Sequence, residues 1–161
     1  MKYRIETKEA FKIIGIEIQT CPERAPKEIG QLWQKFVAEN IEEQVPNKEH
    51  FNILALYSDF SSKHIDYCAP DIVDGPIDHY SYLIGCQVSS LKNIPVGFTG
   101  KEVPEARYAV FTAQGNFPES LERIYKEIKG LNLERTYFYD FEDYRDFETP
   151  EKSIFIYVGI N

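Results

Sequence analysis

Two segments of this 161-residue chain carry the same helical pattern of apolar residues, 92 positions apart. In the first segment, apolar side chains recur at intervals of three and four residues, which places them on one face of a helix. The shift of 92 pairs Pro26 with Pro118, Ile29 with Leu121, Leu32 with Ile124, Trp33 with Tyr125 and Phe36 with Ile128. The spacing predicts helices over Pro26–Ala38 and Pro118–Lys129, and it indicates an internal repeat.

Segments rich in β-branched and aromatic residues surround both helices in the same order. The predicted strands are Lys12–Ile18, Ile53–Ser58, Tyr80–Val88, Ala106–Ala113, Tyr137–Tyr144 and Ile154–Ile160, with a short extra strand at Lys2–Thr7. Asp71–Asp78 and Asn93–Pro104 contain Pro or Gly and are interpreted as loops. The same shift pairs Ile16 with Tyr108, although any two amphipathic β-α units also align to some degree.

This order predicts an α+β fold of duplicated β-α-β-β units. The units form a mostly antiparallel sheet with two main helices and a central ligand cleft, because clefts between substructures are common ligand sites. We expect one domain over residues 1–161, with repeat halves at about 1–90 and 104–161.

Charge and composition exclude several classes of function. The formal net charge is −8, and no basic stripe is present, so we expect no direct binding to nucleic acid. No run of 18 apolar residues exists, so we expect no membrane span. The three cysteines are odd in number and widely spaced, which favours reduced thiols and a cytoplasmic location.

Histidine and cysteine spacing predicts neither a metal site nor a cofactor. His64 and Cys68 are four residues apart, but they fall in a Pro-containing stretch that is unsuited to a metal site. His50 and His79 have no neighbours at metal-ligand spacing.

The acidic segment near the C-terminus is the main candidate site. If the last two strands form a hairpin centred near Thr149–Pro150, Glu142 lies directly opposite Tyr157. Tyr144 and Phe155 then share their face, while Phe141, Ile156 and Val158 point the other way. A carboxylate among aromatic rings suits a lipophilic cation. The alternative is that Glu142 lies on a solvated sheet face, because glutamate is rarely buried.

Several segments resemble the GyrI-like small-molecule-binding family, whose members occur alone or fused to AraC- and MerR-type DNA-binding regions. They are Tyr80-Ser81-Tyr82-Leu83-Ile84-Gly85, Tyr108-Ala109-Val110-Phe111 and Asp140-Phe141-Glu142-Asp143-Tyr144. The resemblance implies the duplicated fold, and a ligand-binding role for Glu142 on the next-to-last strand. It also implies that Trp33, Tyr82, Tyr108 and Tyr157 line the pocket.

The resemblance leaves three functions open. The leading one is a stand-alone domain that sequesters bulky, lipophilic and often cationic drugs or toxins. The second is a hydrolase of cyclopropane-containing genotoxins, in which Glu142 acts as general base. The third is an inhibitor that binds DNA gyrase. No helix-turn-helix fits before Tyr3, so we expect no direct transcription factor.

Overall fold

The computed structural model describes residues 2–61, 79–145 and 153–161. In these ranges the chain forms eight strands and three helices. The strands are β1 (Arg4–Lys8), β2 (Phe11–Thr20), β3 (Lys48–Ser61), β4 (His79–Val88), β5 (Thr99–Val103), β6 (Ala106–Gln114), β7 (Arg135–Tyr144) and β8 (Ser153–Ile160). The helices are α1 (Ala25–Ala38), α2 (Ile41–Gln44) and α3 (Glu119–Lys129).

All eight strands belong to one antiparallel sheet, in the order β1-β6-β8-β7-β3-β4-β2-β5. This order is symmetric about the β7–β3 pair, so β1, β6, β8 and β7 on one side correspond to β5, β2, β4 and β3 on the other. Each half supplies its first strand to the edge of the opposite half. The structure thus confirms the predicted α+β fold class, with α1 and α3 as its two main helices.

The exchanged strands form one continuous ladder. β1 pairs with β6, so that Lys8 lies opposite Ala106, and β2 pairs with β5, so that Phe11 lies opposite Val103. The same register therefore runs through both pairs, across the two-residue links between β1 and β2 and between β5 and β6.

This ladder requires the sheet to curl. β1 and β2 occupy the first and seventh positions of the sheet, which would be about 29 Å apart if the sheet were flat. Lys8 and Phe11 are only three residues apart in sequence, so their Cα atoms lie within about 11 Å. The edges of the sheet are therefore brought together.

The curl creates two distinct faces. The inner face carries a buried cluster whose members come from β2 to β8, and there the Phe11 and Phe141 rings lie 5.3 Å apart although their strands are not neighbours. The opposite face, called here the helix face, packs against α1 and α3. Buried Leu32 and Phe36 of α1 correspond through the shift of 92 to buried Ile124 and Ile128 of α3.

The structure corrects three features of the sequence prediction. Strand β5 lies within Asn93–Pro104, which was predicted to be a loop, and the short helix α2 was not predicted. Ile16 packs on the helix face whereas Tyr108 packs on the inner face, so the strands do not follow the shift that relates the helices. The predicted loop at Asp71–Asp78 and the hairpin centre at Thr149–Pro150 lie outside the described residues.

The cysteines do not all fit the prediction of reduced thiols. Cys86 is free and buried, and burial raises the pKa of its thiol to about 12. Cys21 is disulfide-bonded, so the prediction is wrong for this residue. The prediction relied on the odd number and wide spacing of the cysteines. Spacing in sequence does not determine which residues lie close together in space. Disulfides persist mainly in oxidising compartments, and the cytoplasmic location stays a prediction.

The helices of the structure bear on the prediction that the chain has no membrane span. None of the helices in the described ranges is long and apolar enough to cross a membrane.

We expect the sheet to tolerate no side chain at the Gly15–Gly85 pair. A Cβ atom on Gly15 would lie 1.9 Å from the Ile84 carbonyl oxygen, and one on Gly85 would lie 2.2 Å from the Ile14 oxygen. Both obstacles are backbone atoms that cannot rotate away. Gly15→Ala or Gly85→Ala should therefore lower the free energy of unfolding by about 2 kcal/mol or more in urea denaturation.

The control for this prediction is Gly30→Ala in α1, where a Cβ atom meets nothing within 4 Å. Alanine at an unobstructed helix position should raise stability by about 0.5–1 kcal/mol. Equal effects of the substitutions in the sheet and in the helix would contradict the tight strand contact.

Candidate functional site

A cavity of about 620 Å³ lies between α1 and α3, over the helix face of the sheet. Each helix, with its N-terminal flank, contributes five residues to the cavity wall at positions related by the shift of 92. These residues are Ala25, Pro26, Ile29, Gly30 and Trp33 on the α1 side, and Phe117, Pro118, Leu121, Glu122 and Tyr125 on the α3 side. The internal repeat thus places the cavity between its two halves, as the sequence prediction of a central cleft requires.

Glu142 of β7 forms part of the cavity floor and is completely buried. Alternation along the strand turns Glu142 and Tyr144 to the helix face and Phe141 to the inner face. Ala55 of β3 and Ile156 of β8 lie directly opposite Glu142 on the two neighbouring strands. The small Ala55 side chain leaves space beside the carboxylate.

Three tyrosine hydroxyls donate hydrogen bonds to the Glu142 carboxylate. Tyr57 and Tyr125 donate to Oε2 at 2.8 and 2.6 Å, and Tyr144 donates to Oε1 at 2.5 Å. These residues come from β3, α3 and β7, so the carboxylate connects the sheet to a helix. An ionised carboxylate offers about four acceptor positions, and the tyrosines occupy three of them.

Burial raises the pKa of Glu142 above its usual value, while the hydrogen bonds from the three tyrosines lower it in part. Burial and the nearby Glu142 carboxylate also raise the pKa values of Tyr57, Tyr125 and Tyr144 well above 10. The hydroxyls therefore remain protonated donors at neutral pH. No described residue forms an ion pair with Glu142, so its ionised form leaves a negative charge without a counterion.

Aromatic rings surround this carboxylate on the sheet and on both helices. Trp33 of α1 lies 4.9 Å from Tyr144 between ring centroids, and its indole nitrogen donates a hydrogen bond to the Tyr82 hydroxyl at 2.9 Å. Tyr57 lies 5.0 Å from Tyr82 and 5.6 Å from Tyr80. Hydrogen bonds and ring contacts thus fix the orientation of most rings in the cavity wall.

The structure brings together three of the five residues predicted for the site. Glu142, Trp33 and Tyr82 all line the cavity, which makes their proposed contact with ligand geometrically possible. Tyr108 and Tyr157 are buried in the cluster on the inner face, so their predicted position in the cleft is wrong.

For Tyr157, the cause of the error is a one-residue difference in the register of the β7–β8 hairpin. Glu142 lies opposite Ile156 rather than Tyr157, and Tyr157 lies opposite Phe141, where the two rings stack at 4.3 Å. Side chains alternate between faces along a strand, so a shift of one residue exchanges the faces of the whole strand. Phe155 likewise packs against the inner cluster, whereas Ile156 and Val158 lie on the helix face.

Sequence reasoning missed the tyrosines that hold the carboxylate. Tyr125 was placed on the apolar stripe of its helix, and Tyr144 was placed on the same face as Glu142, but neither was assigned a hydrogen bond. Tyr57 was not singled out. The repeat contained one usable indication, because it pairs Tyr125 with Trp33 and both residues line the cavity.

Among the described residues, no group of three or more His, Cys, Asp and Glu side chains is arranged to hold a metal ion. The predictions for His64 and Cys68 lie outside the described residues.

Residues 4–160 match the model of a family described as "Cass2: Integron-associated effector binding protein", and the chain belongs to this family. This supports the resemblance to effector-binding domains. The chain is 28% identical to the transcriptional regulator BrlR of Pseudomonas aeruginosa over 174 aligned positions. The match covers 99% of the chain but 56% of BrlR, so the chain spans about half the length of this curated relative.

Two solved structures share the fold. An integron cassette protein of Vibrio cholerae is 17% identical, with a TM-score of 0.73, and the match covers 99% of this chain and 95% of that one. The structure of SAV2435 bound to tetraphenylphosphonium is also 17% identical with a TM-score of 0.73, and the match covers 100% and 94% of the two chains. At this level of identity the similarity shows the fold alone.

We expect Glu142→Gln to become more stable relative to the wild type as pH rises. The pKa of Glu142 is higher in the folded chain than in the unfolded chain, so the wild type loses stability as pH increases from the unfolded pKa through the folded pKa. Glutamine cannot ionise and escapes this loss. The difference in unfolding free energy should grow by up to about 1.4 kcal/mol per pH unit across that window.

Urea denaturation at a series of pH values measures this difference. Glu127→Gln, on the exposed side of α3, removes a carboxylate outside the cavity and is the control for the loss of one surface charge. The Asp140 carboxylate contributes to the raised pKa of Glu142, so the measured difference includes the interaction between these two carboxyls. A difference that stays constant or shrinks with rising pH for Glu142→Gln would contradict the assignment.

Proposed function

We propose that this effector-binding protein captures lipophilic organic cations that carry aromatic groups. The observation that carries the proposal is the buried Glu142 carboxylate, held by three tyrosine hydroxyls at the floor of an aromatic cavity. The protein acts by sequestration: apolar burial, contact with aromatic rings and one carboxylate together hold the ligand.

The charge of the floor favours a cation. Tyrosine hydroxyls compensate part of the hydration that Glu142 loses on burial, but they carry no positive charge. A ligand cation would supply that charge beside a completely buried carboxylate, where electrostatic attraction is stronger than in bulk water. The overall charge of −8 also attracts cations towards the protein.

The walls favour a lipophilic and aromatic cation over a small inorganic one. Trp33, Tyr57, Tyr80 and Tyr82 present rings to the cavity, and ring faces attract cations. Both helices add proline and aliphatic side chains. A volume of about 620 Å³ lies within the usual range for cavities that bind drug-sized molecules.

The fold relative SAV2435 supports this class of ligand, because its solved structure contains tetraphenylphosphonium. That compound is a permanent cation shielded by four aromatic rings. Tetraphenylphosphonium is therefore a suitable first probe for this chain, and Trp33 provides a readout since it is the single tryptophan and lines the cavity.

We expect Glu142→Gln to weaken binding of tetraphenylphosphonium by about 1.5–3 kcal/mol, or roughly 10- to 150-fold. Glutamine preserves the shape of the side chain but removes its charge. Neutral triphenylphosphine oxide, which also carries aromatic rings on phosphorus, should lose much less affinity. Isothermal titration calorimetry and quenching of Trp33 fluorescence measure the affinity of both ligands.

The control for overall charge is Glu127→Gln, which removes one carboxylate outside the cavity. Glu127 is exposed on α3 and does not line the cavity. Equal losses of affinity from Glu142→Gln and Glu127→Gln would mean that the overall field, rather than the floor carboxylate, attracts the cation.

Hydrolysis of a reactive small molecule is the second candidate function. The raised pKa of Glu142 favours it, since a general base works best when its pKa approaches the working pH. Three donated hydrogen bonds stabilise the carboxylate and leave one acceptor position for a water proton, which makes binding the better-supported function. Product formation from a cyclopropane-containing genotoxin, lost in Glu142→Gln with binding retained, would instead establish hydrolysis. Binding to DNA gyrase stays a prediction.

A further inference from the structure

Of the two helical walls of the cavity, only the α3 wall carries charged residues in the part of the chain that the structure describes. Helix α3 contributes Glu122, Lys126 and Lys129, which recur at intervals of four and three residues and so lie along one side of the helix. All three are exposed, whereas Glu142 is completely buried. The two lysines therefore lie towards the solvent side of the cavity, above the carboxylate of the floor.

The opposite wall has no counterpart to these charges. The shift of 92 pairs Glu122, Lys126 and Lys129 with Gly30, Gln34 and Val37 of α1, which carry no charge. The wall from Pro22 through Trp33 contributes only apolar residues and glycine. The two halves of the repeat thus share the apolar positions of the cavity, but they differ in the charge that they place at its mouth.

The charged residues of the cavity therefore differ between its buried floor and its exposed mouth. The described lining residues include two glutamates and two lysines, so their formal charges sum to zero in a protein of net charge −8. Neither lysine forms an ion pair or a hydrogen bond with a described residue. The floor is negative, and the exposed residues above it sum to one positive charge.

We propose that the preferred ligand is an ampholyte, a lipophilic aromatic cation that also carries an anionic group such as a carboxylate. The proposal rests on the proposed function, because it assigns the cationic end to Glu142. The anionic end lies at the mouth, where Lys126 and Lys129 pair with it. A ligand with both charges matches the two charged levels of the cavity, and a simple cation matches only the floor.

Stabilisation of α3 alone does not account for this arrangement. Lysines in the last turn of a helix interact favourably with its C-terminal dipole, and both lysines occupy that turn. Lysines on the side of α3 that faces away from the cavity would interact with the helix dipole equally well. The dipole therefore does not explain why both lysine side chains line the cavity.

The test compares (4-carboxybutyl)triphenylphosphonium with its methyl ester, which has the same phosphonium group and no carboxylate. We expect the wild type to bind the acid about threefold to tenfold more tightly, the scale of one or two exposed ion pairs. The net charge of −8 alone would produce the opposite preference. In Lys126→Gln/Lys129→Gln the acid should lose this advantage, while the cationic ester should not lose affinity, because two positive charges are removed from the cavity that it occupies.

Lys92→Gln is the matched control, since Lys92 is exposed and lies outside the cavity, and it should leave the preference for the acid intact. Calorimetry at low and high salt should show the preference shrinking as salt screens the ion pairs. A wild type that binds the ester as well as the acid would overturn the proposal. So would a preference that survives in the double lysine variant.

Failure of the proposed function gives a different result. If the ester itself does not bind, or if Glu142→Gln leaves its affinity unchanged, the floor carboxylate is not the cation site. If the ester binds through Glu142 and the acid gains nothing, only the role of the lysines is wrong.

Discussion

The continuous ladder that joins the exchanged edge strands is the constraint on which the rest of the structure depends. One register runs through the β1–β6 and β2–β5 pairs, and only two residues link β1 to β2. The sheet must therefore curl until its edges meet, and its inner face can be filled by its own side chains. The helices are left to cover the other face, and the cavity lies between them.

The second constraint is the cost of burying Glu142. Removing an ionised carboxylate from water is expensive unless hydrogen bonds or an opposite charge replace its hydration. Tyr57, Tyr125 and Tyr144 supply three hydrogen bonds, but no cationic side chain in the described ranges completes the compensation. Part of the cost therefore remains in the unliganded protein. Since a bound cation would remove it, stability and ligand affinity are linked through the same carboxylate.

Helix patterns in the sequence were more informative than strand patterns, for a physical reason. The apolar stripe of a helix has a fixed direction once the spacing is known, so Leu32, Phe36, Ile124 and Ile128 were assigned correctly to the core. Strands buried on both faces lack the polar alternation that distinguishes one face from the other. The face assigned to Tyr157 therefore depended on the hairpin register. The assumed turn gave a register one residue away from the observed one.

The same limit explains what could be predicted of the site. Glu142 and Tyr144 are two residues apart on one strand, so they share a face in any register. Tyr57 approaches Glu142 from a strand 85 residues away in sequence, and Trp33 bonds Tyr82 across 49 residues. Those contacts follow from the order of strands in the sheet, which the repeat suggested but did not determine. The cleft could be predicted from the sequence. The hydrogen-bond network at its floor could not, because predicting it requires the order of the strands in the sheet.

A duplicated fold could have placed a carboxylate on both central strands, and the structure shows why one is sufficient. Ala55 lies directly opposite Glu142 at the centre of the sheet. Side chains at such a position have Cβ atoms about 4.5–5.5 Å apart. Two buried carboxylates at that distance would repel each other, and one would hold a proton instead of a charge at neutral pH. The alanine methyl group avoids that repulsion and leaves space beside the carboxylate. The repeat thus builds an enclosure with matching apolar walls, and the Ala55–Glu142 pair gives its floor one negative charge.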